Sequence, residues 1–381
     1  MRIVLDCRSV FPGMGGIGRA TACLARELPR ALPEAELVCL LGARRPPEPL
    51  CTAPNALEVT ADAAMIDPLF EQRRLPALLE DLGADLYHGT CFAIPLATSV
   101  RRVATVHDVV FRRRPDLVEP SLCAYLDTWT EASCRHADAV VTVSEFSRGE
   151  LVALYPCPAE RVHVVPNAVD ERFHGVSRRA QRGRPYLLYV GALEEKKNVR
   201  QLLAGFAALL RREPRLAHDL VLVGGAGGAP FDVGRALLGE PSLRGRVHVL
   251  GHVPDAALLD LYARAELFCY LSEYEGYGLP PLEAMAAGVP CVVADRSSLP
   301  EVTAGAALLT DPHDPDAVSW AMTQALHDAG LRERLVARGR AVARRTSWAA
   351  SASRLADVYR AVLGAQTPER PRAPLRAGGD R

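Results

Sequence analysis

Two acidic residues beside a glycine-rich turn are the groups in this sequence best placed to do chemistry. Glu275 precedes the turn 276–278, and Glu283 follows eight residues after Glu275. The apolar run 266–271 predicts a buried strand, and residues 279–281 predict a helix start because proline fits a first helical turn. Open α/β sheets bind ligands at the carboxyl ends of their strands. Both carboxylates are therefore expected to face one pocket, where free N–H groups of the helix start attract an anion.

A structural role is the alternative for each carboxylate. Acidic residues are common in first helical turns because they complement the helix dipole, and Glu283 falls in such a turn. A capping box would need Ser or Thr three residues before Glu283, but Pro280 stands there. Glu275 lies in the loop, where the dipole offers no explanation. Convergent charge beside an exposed helix start therefore favours a functional role for the pair.

Size and composition limit the classes to which the chain can belong. Its 381 residues suffice for two domains, and 45 basic residues balance 45 acidic ones. A formal net charge of zero argues against a nucleic-acid partner. Residues 1–6 are typical of a short strand interrupted by charge, not of a signal peptide, and no apolar run approaches the length of a membrane span.

The ten cysteines indicate a reducing compartment. None forms a Cys-x-x-Cys pair, and Cys39, Cys269 and Cys291 lie inside apolar runs that resemble strands. Buried free thiols are therefore expected, and a structural zinc site is not. We accordingly expect a cytoplasmic protein.

Short apolar runs alternate with amphipathic patterns along the whole chain, which favours parallel strands connected by helices. The predicted strands are 3–6, 37–41, 85–88, 102–106, 139–143, 186–190, 220–223, 247–250, 267–271, 291–294 and 307–309. The predicted helices are 17–32, 71–82, 122–136, 199–210, 255–265, 281–287 and 317–327. We predict an α/β protein with two doubly wound, Rossmann-like domains facing each other across a cleft. They comprise 1–172 and 185–347, with a linker at 173–184, a helix at 348–365 and a disordered tail at 366–381.

The segment 13–18 matches the dinucleotide fingerprint G-x-G-x-x-G after the first strand. The fingerprint also expects an acidic residue at the end of the second strand, where this chain has Arg44 nearby. An arginine could serve a 2′-phosphate, so an NAD(P)-dependent oxidoreductase remains an alternative. We favour a loop that brings backbone N–H groups to the cleft.

Charged loops follow other predicted strands. Lys196 and Lys197 stand directly before a helix, where they add to its positive potential and suit a diphosphate, and Asn198 is a suitable N-cap. His107 ends a strand and either caps a turn or donates a hydrogen bond to a sugar hydroxyl or phosphate. The segment 251–253 could hold a nucleobase.

Together these motifs resemble the retaining glycosyltransferases of the GT-B fold, specifically family 4. The resemblance covers the chain except its tail, through 15–19, 107–108, 165–170, 191–198, 251–253, 275–280 and Glu283. It implies that the first domain binds the acceptor and the second a nucleotide sugar. The implied donor site consists of Gly15, Gly16, Lys196, Lys197, Val253, Glu275, Gly276, Tyr277, Gly278, Leu279 and Glu283, and the residues implied in catalysis are His107, Lys197 and Glu275.

In this family Glu275 would contact the sugar hydroxyls, Glu283 the ribose, His107 the transferred sugar and Gly16 the distal phosphate. The family's Arg-Lys pair on the diphosphate is Lys196-Lys197 here, which keeps the charge and loses bidentate geometry. The family's usual Phe in the glycine turn is Tyr277. No carboxylate cluster suited to a divalent ion stands out, so we expect catalysis without metal or cofactor.

The resemblance favours GDP-mannose as donor, followed by a UDP- or dTDP-hexose, and a glycan, glycolipid or small molecule as acceptor. The basic run 112–114 is either a solvated loop or a contact for a lipid phosphate at the inner face of the membrane. A GT-B-fold nucleotide-sugar epimerase and a non-catalytic sugar-nucleotide binding module are the remaining alternatives.

Overall fold

A seven-stranded parallel sheet organises the first half of the chain in the computed structural model, which describes residues 1–180, 183–227 and 230–364. Its strands are β1 (Arg2–Asp6), β2 (Glu36–Leu41), β3 (Ala56–Thr60), β4 (Leu86–Gly89), β5 (Arg101–Thr105), β6 (Ala139–Thr142) and β7 (Val162–Val164). They lie in the order β3-β2-β1-β4-β5-β6-β7. The connecting helices are α1 (Gly16–Ala31), α2 (Leu75–Asp81), α3 (Val110–Arg113), α4 (Pro120–His136) and α5 (Glu145–Leu154).

A second parallel sheet of six strands organises the other half. Its strands are β8 (Tyr186–Val190), β9 (Asp219–Val223), β10 (Val247–Gly251), β11 (Leu267–Tyr270), β12 (Cys291–Ala294) and β13 (Leu308–Thr310), in the order β10-β9-β8-β11-β12-β13. The helices from the linker onward are α6 (Glu171–His174), α7 (Val199–Arg212), α8 (Val233–Leu238), α9 (Asp255–Arg264), α10 (Leu279–Ala286), α11 (Leu299–Thr303), α12 (Pro315–His327), α13 (Ala329–Ala343) and α14 (Trp348–Gly364). The predicted fold class, two Rossmann-like α/β domains, is confirmed.

Both faces of the first sheet are covered by helices, as expected of parallel strands. Side chains alternate along β1, so Ile3 and Leu5 belong to one apolar core and Val4 belongs to another on the opposite face. The first of these cores also contains Leu355 and Tyr359 of α14, which packs beside α1. The helix α14, the last one among the described residues, therefore returns from the second domain and packs on the first.

The sequence patterns missed the strands β3 and β7 and the helices α3, α5, α6, α8, α11 and α13. β3 is half-exposed at the edge of the sheet and β7 has three residues, so neither carries a long apolar run. The predicted helix 71–82 is a π-helical turn, Phe70–Arg74, followed by α2. Phe173, which the prediction placed in the linker, is 1% exposed and packs edge-on against Tyr262 of the second domain. Residue 365 and the predicted tail 366–381 lie outside the described residues.

Candidate active site

The turn that carries Glu275 connects β11 to α10 at the carboxyl edge of the second sheet. β11 is buried along its whole length, and α10 begins with prolines in its first turn, as predicted. Gly278 is the residue before α10 and has a φ of 98°, a left-handed conformation that favours glycine. Strand, turn and helix start together fix the backbone on which Glu275 stands.

Glu275 is a buried carboxylate that is held through one of its two oxygen atoms. Its Oε1 atom accepts hydrogen bonds from Lys197 Nζ at 2.6 Å, Ser272 Oγ at 2.6 Å and Tyr270 OH at 2.8 Å, and the residue is 8% exposed. Burial alone would raise the pKa of Glu275, but the charges of Lys197 and Lys196 and these hydrogen bonds bring it below its ordinary value. Glu275 is therefore ionised, and with Lys197 it forms a charged pair beside the start of α10.

The two predicted lysines face different partners. Burial disfavours the charge of Lys197, yet the neighbouring Glu275 raises the pKa of Lys197 above its ordinary value, so this lysine stays cationic. The Lys196 ammonium lies 3.7 Å from Asp108 Oδ2 of the first domain. The Lys196 carbonyl accepts hydrogen bonds from Ser272 Oγ at 3.1 Å and from the Glu273 N–H at 2.9 Å. The lysine loop and the Glu275 turn are thus joined directly.

Asn198 corrects one prediction. It occupies the position before α7, as expected of an N-cap, but its side chain makes no capping hydrogen bond. The reason is its left-handed backbone, with a φ of 55°, because a capping side chain normally projects from an extended residue.

Glu283 is the fifth residue of α10, one turn later than the predicted first turn, and is 7% exposed. Tyr262 OH donates a hydrogen bond to Glu283 Oε2 at 3.2 Å, and Arg19 Nη1 of the first domain lies 4.0 Å from Oε1. Burial raises the pKa of Glu283, which the charges of Arg19 and Arg172 partly offset. The carboxylate therefore depends for its charge on a guanidinium from the opposite domain.

His107 lies at the carboxyl end of β5, half-buried beside the cleft. Its Nε2 atom is 2.8 Å from the Thr90 carbonyl oxygen, and its ring meets the Phe92 ring edge-on. Because a carbonyl can only accept, Nε2 carries the proton, and burial lowers the pKa of His107 so that the ring is neutral. The prediction that His107 donates a hydrogen bond to the substrate is therefore corrected. The Nε2–H group already donates to the Thr90 carbonyl, and the Nδ1 atom of the neutral ring can only accept.

Gly276 is where the second domain touches the first. A Cβ atom on Gly276 would lie 1.9 Å from the His107 carbonyl oxygen and 3.0 Å from the Asp108 Cβ. The Gly276 carbonyl in turn accepts a hydrogen bond from Ser144 Oγ at 2.7 Å. The space that a side chain would need at Gly276 is therefore occupied by the backbone of the first domain.

The other residues predicted to bind the donor sugar nucleotide differ in whether their side chain or their backbone is accessible. Tyr277 is buried and its pKa is raised to about 12 by burial, so the turn presents its backbone there and not this ring. Val253 and Leu279 are partly buried against the core of the second domain. Gly15 and Gly16 begin α1 in open space, where a Cβ atom on either would meet nothing within 4 Å. The start of α1 is therefore accessible to a ligand.

The remainder of the glycine fingerprint and the basic run have structural roles. A Cβ atom on Gly18 would lie 2.3 Å from the Ser9 carbonyl, so this glycine permits close packing of α1. The three arginines of 112–114 are all paired, with Asp127, Glu150, Asp116 and Glu273 as their partners. The three guanidinium groups are therefore held by ion pairs while their side chains stay exposed to solvent.

Sequence reasoning missed the contacts that hold the domains together. Glu301 of the second domain accepts hydrogen bonds at 2.9 Å from the N–H groups of Glu145 and Phe146, which begin α5. Ser144 caps the same helix and could have been recognised as an N-cap. Glu301 carries no such signal, because it lies 156 residues from Glu145 in the chain.

No group of three or more His, Cys, Asp and Glu side chains within 1–180, 183–227 and 230–364 has the arrangement of a metal site. In the same residues, no helix combines the length and the apolar character needed to cross a membrane.

Comparisons with known proteins agree with the geometry. Residues 14–173 match the family model for Glycosyltransferase Family 4, and residues 171–342 match the model for Glycosyl transferases group 1. O-antigen chain mannosyltransferase B of Escherichia coli is 36% identical over 301 residues, which cover 77% of this chain and 78% of that protein. D-inositol 3-phosphate glycosyltransferase of Xylanimonas cellulosilytica is 34% identical over 58% of this chain and 57% of its own length.

The solved structure of sucrose-phosphate synthase from Thermosynechococcus elongatus has the same fold. It superposes with a TM-score of 0.77 and covers 96% of this chain and 100% of its own, at 20% identity. At 20% identity this structural similarity supports the fold only, whereas the family assignment rests on the sequence matches. The chain belongs to glycosyltransferase family 4, and its two facing Rossmann-like domains are the GT-B fold.

Proposed function

We propose that this glycosyltransferase transfers mannose from GDP-mannose to a hydroxyl group of a glycan or glycolipid, with retention of anomeric configuration and without a metal ion. UDP- and dTDP-hexoses are the alternative donors. The buried Lys197–Glu275 pair carries the proposal, because it places a fixed cation and a fixed carboxylate together beside a helix start. The choice of mannose rests on the similarity to the Escherichia coli mannosyltransferase.

The cations of the site suit the leaving diphosphate. When the bond between the sugar and the phosphate breaks, negative charge grows on the diphosphate and positive charge on the sugar ring. Lys197, which Glu275 holds in place, would oppose the negative charge together with Lys196 and the backbone N–H groups of residues 276–279. Lys196 would have to exchange Asp108 for a phosphate oxygen, which a pairing distance of 3.7 Å permits.

Glu275 orients the sugar and does not attack it in this proposal. Its Oε1 atom already accepts three hydrogen bonds, which fixes the carboxylate in one orientation. A carboxylate held in this way suits the hydroxyl groups of the sugar ring, and the Nδ1 atom of His107 can accept from another hydroxyl. The acceptor would then be deprotonated with help from the departing phosphate.

A panel of nucleotide sugars tests the proposal directly. GDP-mannose, UDP-glucose and dTDP-glucose are each tested for thermal stabilisation and for transfer to a mannose-containing oligosaccharide, with the anomeric configuration of the product determined by NMR. GDP-mannose should stabilise the protein most and give an α-linked product. If only UDP-glucose supported transfer, UDP-glucose and not GDP-mannose would be the donor. A β-linked product from GDP-mannose would exclude retention of anomeric configuration.

Transfer should not depend on a divalent ion. Since lysine side chains and backbone amides can neutralise the diphosphate, activity in excess EDTA is expected to stay within about twofold of untreated enzyme. Initial rates with EDTA, and with EDTA followed by Mg²⁺ or Mn²⁺, provide the measurement. Activity that is lost on chelation and restored by either ion would contradict the metal-independent proposal.

Glu283→Gln should weaken donor binding without slowing turnover. If Glu283 holds the ribose, it does so equally before and during the reaction, so the donor KM should rise about fivefold, for a loss of about 1 kcal/mol, with kcat nearly unchanged. The raised pKa of Glu283 predicts that the wild-type donor KM also rises as the pH falls through that pKa. The KM of Glu283→Gln should lack this dependence. A loss of kcat at saturating donor would contradict the assigned role.

A further inference from the structure

A polar and aromatic wall of the first domain is not used by the donor site. It lies at the carboxyl edge of the first sheet and consists of Arg8, Glu71, Tyr125 and Trp129. Arg8 follows β1 and donates hydrogen bonds to Asp6 Oδ2 at 2.7 Å and to Glu71 Oε1 at 3.1 Å. The other oxygen of Glu71 accepts a hydrogen bond from Tyr125 OH at 2.9 Å. Three elements of the first domain therefore meet at this wall.

The aromatic part of the wall lies on one face of α4. Tyr125 and Trp129 are four residues apart, and their ring centroids are separated by 6.3 Å with the ring planes inclined at 52°. Both residues are half-buried, so each leaves part of its side chain accessible. Among the described residues no acceptor for the Trp129 indole N–H is found. The pair thus combines accessible aromatic surface with a hydrogen-bond donor.

The wall is rigid. Burial protects the Arg8–Glu71 pair, whose side chains are 4% and 2% exposed. Glu71 stands in the π-helical turn Phe70–Arg74, and such turns are frequent at functional sites. The next residue, Gln72, donates a hydrogen bond to the Ile94 carbonyl and accepts one from the Leu96 N–H. The Tyr125 ring is consequently held in place by groups that cannot easily move.

The wall is connected to the reacting end of the cleft. The Thr90 hydroxyl donates a hydrogen bond to the Asp6 carbonyl at 2.6 Å, and the Thr90 carbonyl accepts the hydrogen bond from His107. Asp6 is also the residue that Arg8 binds. A continuous network of hydrogen bonds and ion pairs therefore connects His107 through Thr90, Asp6, Arg8 and Glu71 to the Tyr125 hydroxyl of the aromatic pair.

We propose that Tyr125 and Trp129 form a stacking subsite for a pyranose ring of the acceptor glycan, beyond the residue that receives the transferred sugar. The inference rests on the proposed function. A pyranose ring has an apolar C–H face and a polar rim, which match an aromatic ring flanked by hydrogen-bonding groups. Because the subsite lies beyond the reacting hydroxyl, it would favour acceptors of two or more sugar units over single sugars.

Kinetics of Trp129 variants test the subsite. With GDP-mannose as donor and an α-linked mannobiose as acceptor, Trp129→Ala should raise the acceptor KM about tenfold, as for loss of a central aromatic contact, and leave the donor KM unchanged. Trp129→Phe retains a ring and should recover most of the affinity. Trp320→Ala is the matched control, because Trp320 lies on α12 of the other domain and is 54% exposed. An unchanged acceptor KM in Trp129→Ala would overturn the subsite.

Fluorescence gives a second test that does not require transfer. The chain has three tryptophans, so mannobiose added to the protein without donor should quench or shift the emission, and Trp129→Phe should abolish that change while Trp320→Phe preserves it. A response that persists in Trp129→Phe, or no response to mannobiose or maltose at millimolar concentrations, would overturn the subsite. A response lost only in Trp129→Phe, from protein that transfers no sugar, would support the subsite and contradict the proposed function.

Discussion

Glu275→Gln is expected to lower kcat roughly ten- to hundredfold, because a charge-assisted hydrogen bond worth about 1.5–3 kcal/mol is lost as the sugar distorts in the transition state. The carboxylate is ionised and accepts three hydrogen bonds through one oxygen. A neutral amide keeps the shape but leaves Lys197 buried without its counter-charge. Steady-state kinetics at saturating donor give kcat, and urea unfolding should show reduced stability.

Glu195→Gln is the control for this change. Glu195 lies in the same lysine loop, and its ion pair with Arg200 is exposed, so its loss should leave kcat within about twofold and stability nearly unchanged. If Glu275→Gln kept the full kcat, the carboxylate would serve only to hold Lys197. The assigned role toward the sugar would then be wrong.

Gly276→Ala is expected to reduce activity by about a hundredfold by preventing the domains from closing. The added Cβ atom would lie 1.9 Å from the His107 carbonyl oxygen, and both groups belong to fixed backbone. Overpacking of this kind costs about 1–3 kcal/mol or more, which the protein avoids by keeping the domains apart. Small-angle scattering should show a larger radius of gyration than that of the wild type. The affinity for GDP-mannose should fall by a smaller factor than kcat does.

Gly149→Ala is the matched control for the glycine substitution. A Cβ atom on Gly149 would meet nothing within 4 Å, and the residue lies in α5, where alanine is the better helix former. Activity and dimensions should equal those of wild type. If Gly276→Ala were as compact and as active as Gly149→Ala, the contact between Gly276 and His107 would have no part in closure.

The second domain and its site were more predictable from the sequence than the contacts between domains. The strands β8, β11 and β12 are continuous apolar runs, and the turn before α10 carries its own proline and glycine signals. The positions of Glu275 and Glu283 followed from these local patterns. Their partners did not, because Lys197 lies 78 residues before Glu275, and no local pattern records which loops meet at a sheet edge.

His107 shows the same limit for an individual side chain. Its place at the end of β5 was predictable from the apolar run before it, but its hydrogen-bonding state was not. That state is set by Thr90, on the loop after β4, which reaches His107 because β4 and β5 are neighbours in the sheet. A single contact from a neighbouring loop thus turned a predicted donor into an acceptor.

The return of α14 to the first domain gives the chain two crossings between the domains, one before β8 and one between α13 and α14. Two covalent connections restrict the relative movement of the domains more than one would, and a rotation about the line that joins the two crossings is the movement that they oppose least. A fragment cut at the first crossing would lack the helix that covers α1 and leave an apolar face bare. The first domain should therefore be produced with residues 348–364 supplied as a separate peptide or fused to it, not as 1–172 alone.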